Sequence, residues 1–340
     1  MIAGPMLKPE ALLHPRPEGL YCPPGDFYVD PVRPVARAVI THGHSDHARA
    51  GHGTVVATPA TLDIMRERYG EDFAGSVQPL AYGEMVRRDG VEVRLVPAGH
   101  VLGSAQAVVA WQGLKMVVSG DYKRRPDPTC APFEPVACEV FVTEATFALP
   151  VFRHPPASEE AAKLVASARQ FPDRAHLVGA YALGKAQRLI KLLREAGWDR
   201  TIYVHGALER LNALYERHGV ALGPLAPATA EKRGALPGEI IIAPPSAIAD
   251  RWSRRFADPV SAFASGWMRV RARARQRAVE LPLIISDHAD WDELTATAAE
   301  IAPQELWITH GREEALARWA ELNGILARPL SLVGYEDEDS

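Results

Sequence analysis

The densest group of metal-binding residue types in this 340-residue chain lies in one short segment, Thr41-His42-Gly43-His44-Ser45-Asp46-His47. Neutral imidazoles beside a carboxylate suit Zn²⁺, with Mn²⁺ or Fe²⁺ as alternatives. We expect Gly43 to let the backbone turn so that His42 and His44 face one point. A polar surface loop is the alternative interpretation, but four ionisable side chains rarely reach this spacing in such a loop. The segment therefore predicts a metal site.

Further groups of these chemical types follow apolar segments that are typical of strands. Residues 36–40 form one such segment before the histidine-rich loop, and five others precede His100, Asp121, Glu144, His288 and His310. Singly, a histidine after a strand or an aspartate in a turn is a weak signal. A carboxylate such as Glu144 at the end of a core strand is costly unless it has a partner or a chemical role. We expect these groups to converge at one edge of a core.

The elements that must position these groups fall into two patterns. Residues 58–69 predict a helix capped by Thr58, and residues 108–119 predict a hairpin around Gln112-Gly113. From Val151 onward helices and strands alternate, which is typical of a small, separate parallel sheet. The predicted helices span 158–169, 184–196 and 208–218, and the strands 175–180, 201–205 and 239–243. Strands at 281–285 and 305–309 and a helix at 313–326 precede an acidic tail, 336–339, that we expect to be disordered.

Composition places the chain among ordinary globular proteins. Hydrophobic residues make up 47% and charged residues 24% of the sequence, and the net charge of −4 argues against a general polyanion binder. Apolar runs fall short of the ~20 residues that span a bilayer, and the first ten residues do not resemble a signal peptide, so we expect no membrane association. Three widely spaced cysteines without a CxxC pair favour the cytoplasm and argue against thiolate zinc sites.

A glycine-rich turn invites comparison with phosphate-binding loops. Gly179-Ala-Tyr-Ala-Leu-Gly184-Lys185-Ala186 fits G-x-x-x-x-G-K, but Ala186 stands where a nucleotide hydrolase needs Ser or Thr to hold Mg²⁺. The turn still opens a helix, so Lys185 and Gln187 could hold a backbone phosphate of a polymer. A plain strand–helix turn is the alternative.

Five arginines recur at every second position in Trp267-Met-Arg-Val-Arg-Ala-Arg-Ala-Arg-Gln-Arg277. On a strand, Arg269, Arg271 and Arg273 would share one face with Arg275 and Arg277. Such a stripe would match a phosphodiester backbone. The alternative is a charged edge strand that prevents aggregation. In a helical conformation the five arginines would not lie on one face.

The His-x-His-x-Asp-His segment after a strand resembles the metal motif of the metallo-β-lactamase superfamily. That resemblance implies a four-layer αββα sandwich that holds two metals at one edge. Thr-Glu144-Ala-Thr-Phe, Ser-Asp-His288-Ala-Asp and Ile-Thr-His310-Gly resemble the added motifs of the β-CASP nucleases, in which a second α/β domain is inserted late in the fold. The implied fold is α/β, with residues 1–150 and 281–335 forming the metallo-β-lactamase domain and 151–280 the inserted β-CASP domain.

The resemblance also implies roles for individual residues. One of two divalent metals, with zinc favoured over manganese, would be held by His42, His44 and His100. The other would be held by Asp46, His47 and His310, with Asp121 bridging both; Asp46 also counts among the catalytic groups. Asp30 would support the ligands, with Asp26 as a competing candidate. His288, oriented by Glu144, would protonate the leaving oxygen.

Ser-Gly-Trp-Met-Arg-Val-Arg and Ser-Asp-His-Ala-Asp-Trp look most like the bacterial ligase-associated DNA exonucleases. The resemblance implies a two-metal DNA exonuclease in DNA repair, associated with an ATP-dependent ligase and a helicase. His310 is a departure, because eukaryotic DNA-cutting relatives tend to have an apolar residue there and RNA-cutting relatives a histidine. An RNA-processing nuclease is therefore the alternative. A small-molecule hydrolase of thioesters or lactams, or a non-enzymatic nucleic-acid scaffold, is less consistent with the motifs.

Overall fold

The computed structural model describes residues 7–232, 234, 236–311 and 313–330. Its first sheet has six strands in chain order, antiparallel at the start and parallel from the third strand onward. The strands are β1 (His14–Arg16), β2 (Gly19–Cys22), β3 (Phe27–Val29), β4 (Arg37–Val39), β5 (His52–Ala57) and β6 (Ala74–Pro79). Helix α1 (Pro59–Tyr69) lies between the last two strands, and the Thr58 side chain caps it by accepting a hydrogen bond from Thr61 N, as predicted.

The second sheet begins with an antiparallel meander. Its first strands are β7 (Met85–Arg88), β8 (Val91–Pro97), β9 (Ala105–Trp111), β10 (Leu114–Val118) and β11 (Val140–Ala145). Gln112 and Gly113 have φ values of 47° and 85°, and two central residues with positive φ are the hallmark of a type I′ hairpin turn. The predicted hairpin at this position is confirmed. Strand β11 then pairs parallel with β10.

The third sheet is entirely parallel, in the order β14-β13-β15-β12-β16-β17. Its strands are β12 (His176–Gly179), β13 (Ile202–Val204), β14 (Leu225–Pro227), β15 (Ile240–Ala243), β16 (Val260–Ala264) and β17 (Leu281–Leu283). The accompanying helices are α2 (Ala157–Gln170), α3 (Lys185–Glu195), α4 (Gly206–Arg217), α5 (Pro245–Ala249) and α6 (Arg271–Gln276). This alternation confirms the predicted parallel sheet.

After the third sheet the chain rejoins the second. Helix α7 (Trp291–Ile301) leads to β18 (Glu305–Gly311), which pairs parallel with β11, and α8 (Glu313–Leu322) leads to the edge strand β19 (Leu326–Pro329). The acidic tail at 336–339 lies outside the described residues. Apolar side chains of the first two sheets share one core, α1 covers the outer face of the first sheet, and α7 and α8 cover that of the second. These are the four layers of an αββα sandwich.

The parallel unit packs against the sandwich through α1 and α4. His218 lies 3.0 Å from Asp63, Arg210 pairs with Glu67, and the Tyr215 hydroxyl accepts a hydrogen bond from Leu102 N. Strand β17 still pairs with β16, so the structure continues the third sheet past the boundary proposed at residue 280. Within the described ranges, none of the helices is long and apolar enough to cross a bilayer.

Candidate metal centre

A buried carboxylate fixes the start of the histidine-rich loop. Asp30 Oδ1 and Oδ2 accept hydrogen bonds from Thr41 N at 2.7 Å and Thr41 Oγ1 at 2.6 Å, and Oδ2 lies 2.8 Å from His47 Nδ1. This contact orients the ring of His47 so that Nε2 faces the other potential ligands. Asp26, the competing candidate, pairs with Arg37 at the surface. Of the two aspartates, it is therefore Asp30 that contacts the histidine-rich loop.

Gly43 serves this loop through its small size. Its φ lies outside the left-handed region, and a Cβ added there would lie 2.6 Å from Cγ2 of Ile64. Ile64 is a fully buried residue of α1, and Arg68 of the same helix donates a hydrogen bond to Gly43 O. The chain bends at Gly43 and His42 and His44 belong to one ligand group, as expected, but the glycine is needed there for the close approach of the helix and not for a left-handed backbone.

Six side chains at four strand ends form two overlapping groups of potential ligands. The first group is His42, His44, His100 and Asp121, and the second is His47, His310 and again Asp121; within each group the ligand atoms lie within 4.8 Å of one another. Asp121 Oδ2 is 3.4 Å from His42 Nε2 and 3.5 Å from His47 Nε2. The shared carboxylate therefore lies at the centre of the cluster.

The donor atoms of these residues fit divalent cations. His42 Nε2 and Asp46 Oδ1 are buried and lack hydrogen-bond partners among the described residues. Asp46 Oδ2 also lies 3.4 Å from His47 Nε2. Contacts of 3.4–3.5 Å are too long for good hydrogen bonds but leave room for an ion whose bonds to nitrogen and oxygen are ~2.0–2.2 Å. The shared position of Asp121 suits a carboxylate that bridges two ions.

The imidazoles differ in their protonation. Burial, followed by repulsion from neighbouring imidazoles, holds the pKa well below its usual range for His42, His100 and His310. Their neutral form is the one that binds a metal. Burial also opposes the charged form of His47, but the Asp121 and Asp46 carboxylates outweigh it and raise the pKa of His47 to about 10. His47 must therefore lose a proton when a cation binds, so binding weakens as the pH falls.

Backbone carbonyls from outside the sandwich core orient two of the histidines. Leu183 O lies 3.3 Å from His44 Nε2, and Asp287 O lies 2.9 Å from His100 Nδ1. Hydrogen bonds of this kind fix which ring nitrogen faces a metal. Sequence reasoning missed both. The contact from Asp287 could have been expected because this residue precedes His288. The contact from Leu183 could not, because a backbone carbonyl is present in every residue and does not mark the sequence.

Glu144, which is fully buried, and His288, which is partly exposed, form a pair beside the cluster. Glu144 Oε2 lies 3.0 Å from His288 Nδ1, and Oε1 accepts a hydrogen bond from Tyr122 N at 2.9 Å. Burial opposes the charged form of His288, but the carboxylates of Glu144 and Asp121 outweigh it and hold its pKa well above the usual range. The structure thus brings together the two residues that the sequence predicted as an oriented acid.

His310 reaches the cluster through an irregularity between β11 and β18. From Thr143 to Ala145 the partner strand advances from Ile308 to Gly311, so β18 carries one extra residue. His310 lies in this bulge with a φ of 57°. Bulges of this kind redirect a side chain, and a left-handed conformation is uncommon outside glycine. The backbone is therefore held in an unusual state to present this histidine.

The structure does not support the predicted phosphate contacts of Lys185 and Gln187. Both residues are buried: Lys185 Nζ lies 3.2 Å from Asp287 Oδ1, and Gln187 Oε1 accepts a hydrogen bond from Gly184 N. Gln187 Nε2 also donates to Asn212 Oδ1. Both side chains are therefore engaged in contacts within the protein, as the alternative interpretation of a plain strand–helix turn predicts.

The predicted arginine stripe is wrong in its conformation. Gly266–Arg269 is a 3₁₀ helix and Arg271–Gln276 is α6, so alternate residues point to different sides. Arginine and alanine are both strong helix formers, and this propensity explains the outcome. The guanidinium of Arg273 stacks 4.0 Å from the Trp267 ring centroid, whereas Arg269 and Arg271 remain exposed. The exposed arginines still form a basic surface, but they do not share one face.

Comparisons with known proteins agree with this architecture. No family model matches the chain. It is 27% identical over 314 residues to a protein named "Probable DNA ligase" from Opitutus terrae, covering 89% of this chain and 30% of that protein. It is 32% identical to cleavage and polyadenylation specificity factor subunit 3 from Dictyostelium discoideum, over 35% of this chain and 16% of that protein. It is 31% identical to a ribonuclease from Thermus thermophilus, over 36% of this chain and 34% of that protein.

The chain thus spans about a third or less of the length of these curated relatives. A crystal structure of a protein of unknown function from Enterococcus faecalis V583 superposes with a TM-score of 0.58 at 15% identity, covering 88% of this chain and 80% of that one. The four-layer architecture, with its cluster at the strand ends, is a metallo-β-lactamase-type α/β fold, which confirms the predicted fold class. Membership of the β-CASP nuclease group within that fold stays a prediction from the motifs, because the relatives named as a cleavage factor and a ribonuclease match only about a third of the chain.

Proposed function

We propose that the protein is a two-metal phosphodiester hydrolase that acts on nucleic acid, and that residues 151–280 form its inserted domain. The observation that carries this proposal is Asp121, shared by two ligand groups and adjacent to the Glu144–His288 pair. An additional support is that relatives matching a little more than a third of the chain bear the names of ribonucleases. Free thiols at all three cysteines, each within the described residues, support a reducing compartment such as the cytoplasm.

The residues divide the chemistry between them. When bound, two divalent ions would supply a water activated for attack at neutral pH and would neutralise charge on the phosphate. His288 holds a proton on a ring whose Nδ1 is fixed by Glu144, so its other nitrogen can protonate the leaving oxygen as the phosphorus–oxygen bond breaks. Asp30 orients the ring of His47 toward the other potential ligands.

DNA is our preferred substrate class, with exonuclease action in repair beside a ligase and a helicase. The similarity to the protein named a probable DNA ligase covers 89% of this chain but only 30% of that protein. The other 70% or so of that protein is long enough to contain the ligase that its name gives. This supports a shared role of the two activities in processing DNA ends. RNA is the second candidate, favoured by His310 and by the named ribonucleases, whose similarity covers little more than a third of this chain.

The exposed arginines are our candidates for contacts with the phosphate backbone. The stacked Trp267 that anchors this segment lies 4.9 Å from Phe147, and Phe147 lies 6.1 Å from His288, measured between ring centroids. These aromatic contacts link the segment that carries Arg269 and Arg271 to the acid, which supports the choice of these two residues. Arg273 would act by holding Trp267.

Replacing Arg269 and Arg271 together with alanine should weaken oligonucleotide binding and reduce its salt dependence. Each lost phosphate contact lowers the slope of log K against log[salt] by ~0.7–0.9. Fluorescence anisotropy over a salt series measures the slope. Arg318 and Arg87, exposed on the sandwich, provide a matched double-alanine control. An unchanged slope in the Arg269/Arg271 variant would place the nucleic-acid path elsewhere.

Replacing Asp30 with asparagine should weaken metal binding by about 10–100-fold. An amide oxygen cannot accept hydrogen bonds from both Thr41 and His47 as the two carboxylate oxygens do. Competition with a chromogenic chelator measures the affinity. Asp26→Asn, at the exposed position paired with Arg37, is the control. Equal affinities in the two variants would remove Asp30 from the site.

The central test uses one oligonucleotide sequence, made as DNA and as RNA and labelled at either end. Each is incubated with metal-loaded protein, with His42→Ala as the inactive control. Mononucleotides or a ladder from DNA alone support the exodeoxyribonuclease, and the label gives the polarity. Cleavage of RNA alone selects the RNA-processing alternative. Cleavage of neither, with metal bound, refutes the nuclease proposal.

A further inference from the structure

A cavity of about 460 Å³ lies on the other side of the His288 loop from the metal cluster. Its walls come from the 123–128 loop, from the first turn of α2, from α3 and from Ile284 and Ser286. Four prolines, at positions 126, 128, 155 and 156, stiffen its rim. The volume falls within the range of small-molecule sites.

Two buried side chains that line this cavity have unused polar atoms. Both ring nitrogens of His154, which is 7% exposed, lack a hydrogen-bond partner within the described part of the chain. The same is true of Nε and Nη1 of Arg188, which is 2% exposed. Burying a donor without a hydrogen-bond partner costs free energy. Groups of this kind in a cavity wall indicate a polar occupant.

The start of α2 adds further donors. Helix α2 has fourteen residues, and Pro156 at its N-cap provides no side-chain hydrogen bond to the first turn. Ala157 and Ser158 of that turn line the cavity. Backbone N–H groups and the helix dipole at such an end favour an anion.

Arg188 is the cation of the lining that is available to an occupant. Lys123 and Arg125 also line the cavity, but they pair with Glu293 and Asp290 at 3.0 and 2.7 Å. Asp127 Oδ2 lies 3.2 Å from Arg188 Nη1 and accepts no hydrogen bond from that nitrogen. A guanidinium with free N–H groups is matched to phosphate oxygens.

We propose that this cavity is a binding site for a phosphate-type anion, either inorganic phosphate or the phosphomonoester of a nucleotide. Arg188 and the first turn of α2 bind the phosphate oxygens. His154 contributes a neutral ring that donates one hydrogen bond. The site is separate from the metal cluster and does not depend on the nuclease activity.

The cavity is also connected to the acid. Lys123 and Ser286 line it, and both form hydrogen bonds with the backbone of His288: Lys123 Nζ donates to His288 O at 2.9 Å, and Ser286 Oγ accepts from His288 N at 3.0 Å. An occupant that contacts Lys123 or Ser286 therefore acts on the loop that carries His288.

Isothermal titration calorimetry on the full chain, freed of metal with a chelator, tests the proposal without interference from bound metal. The probes are inorganic phosphate, deoxyadenosine 5′-monophosphate and, as the phosphate-free control, deoxyadenosine. Binding of phosphate alone assigns the site to the free ion, and binding of the nucleotide alone assigns it to a phosphomonoester. Failure of both, or deoxyadenosine binding as tightly as its monophosphate, overturns the proposal.

Two variants locate the binding. His154→Phe keeps an aromatic ring beside Phe147, which lies 4.8 Å away. Arg188→Met with Asp127→Asn removes both charges of a pair, so no buried carboxylate is left alone. Each is expected to weaken binding at least tenfold, whereas Lys191→Met on the same helix is not. Unchanged affinity in both variants overturns the proposal.

Crystals of the unaltered chain give an answer that is independent of any variant. Arsenate, a phosphate analogue with an anomalous scatterer, is soaked into metal-free crystals. A peak beside Arg188 supports the site, and a peak only on the metal ligands refutes it. Nuclease activity is not measured in any of these experiments, so failure of the cavity proposal leaves the nuclease proposal intact, and the reverse holds as well.

Discussion

Asp121→Asn is expected to lower both the metal content and the rate of hydrolysis. Its carboxylate is common to both ligand groups, so an uncharged amide weakens both metal positions at once. Losing several kcal/mol of charge stabilisation corresponds to a fall in rate of about 10³-fold or more. Elemental analysis of the purified protein and turnover of a labelled oligonucleotide measure the two effects.

Asp89→Asn is the control for this variant. Asp89 lies exposed in a turn with a φ of 48°, a conformation that asparagine tolerates well. Circular dichroism of both variants checks that the fold is intact. Full metal content in the Asp121 variant would show that this residue is not the shared ligand.

His288→Asn is expected to remove turnover while leaving the metals in place. General acid catalysis contributes typically 10²–10⁴-fold. His288 also forms groups of potential ligands with Asp121 and Glu144 and with His100 and Asp287, but Glu144 occupies its Nδ1, so we expect the metals to depend on the groups that contain His42 and His47. Because the carboxylates raise the pKa of His288, the native enzyme should keep its rate through neutral pH and lose it as the pH rises above that pKa. The variant should lack this alkaline fall.

His205→Asn is the matched control, because His205 caps α4 far from the cluster and asparagine also caps helices well. Rates over a pH series, with metal content measured in parallel, separate the roles of His288. Loss of metal from the His288 variant would make this residue a ligand, and unchanged turnover would remove it from the mechanism.

The ligand cluster could be predicted because its signal is local. Each group follows an apolar segment that forms a strand, and neighbouring strands bring their ends to one edge. The pairing of Glu144 with His288, 144 positions apart, was predicted from the resemblance of their motifs and is present in the structure. Burial of the carboxylate required such a partner.

The errors arose where tertiary packing decides. Lys185 and Gln187 occupy a turn whose pattern is that of an anion site, but Asp287 and Asn212 approach from other elements and engage both side chains. The alternating arginines have the period of a strand and the propensity of a helix, and propensity prevailed. For Gly43, the sequence indicated a glycine but not the neighbouring Ile64 that requires it.

The backbone at His310 bears on how this site can diverge during evolution. A φ of 57° within a bulge is tolerated by histidine and asparagine but is strongly disfavoured for β-branched side chains. The adjacent Gly311 is equally constrained, because a Cβ there would lie 2.3 Å from Ala145 O. Replacing this histidine with valine or isoleucine is therefore expected to require a change of backbone conformation as well. We expect the second ligand group and the bulge to be kept or lost together.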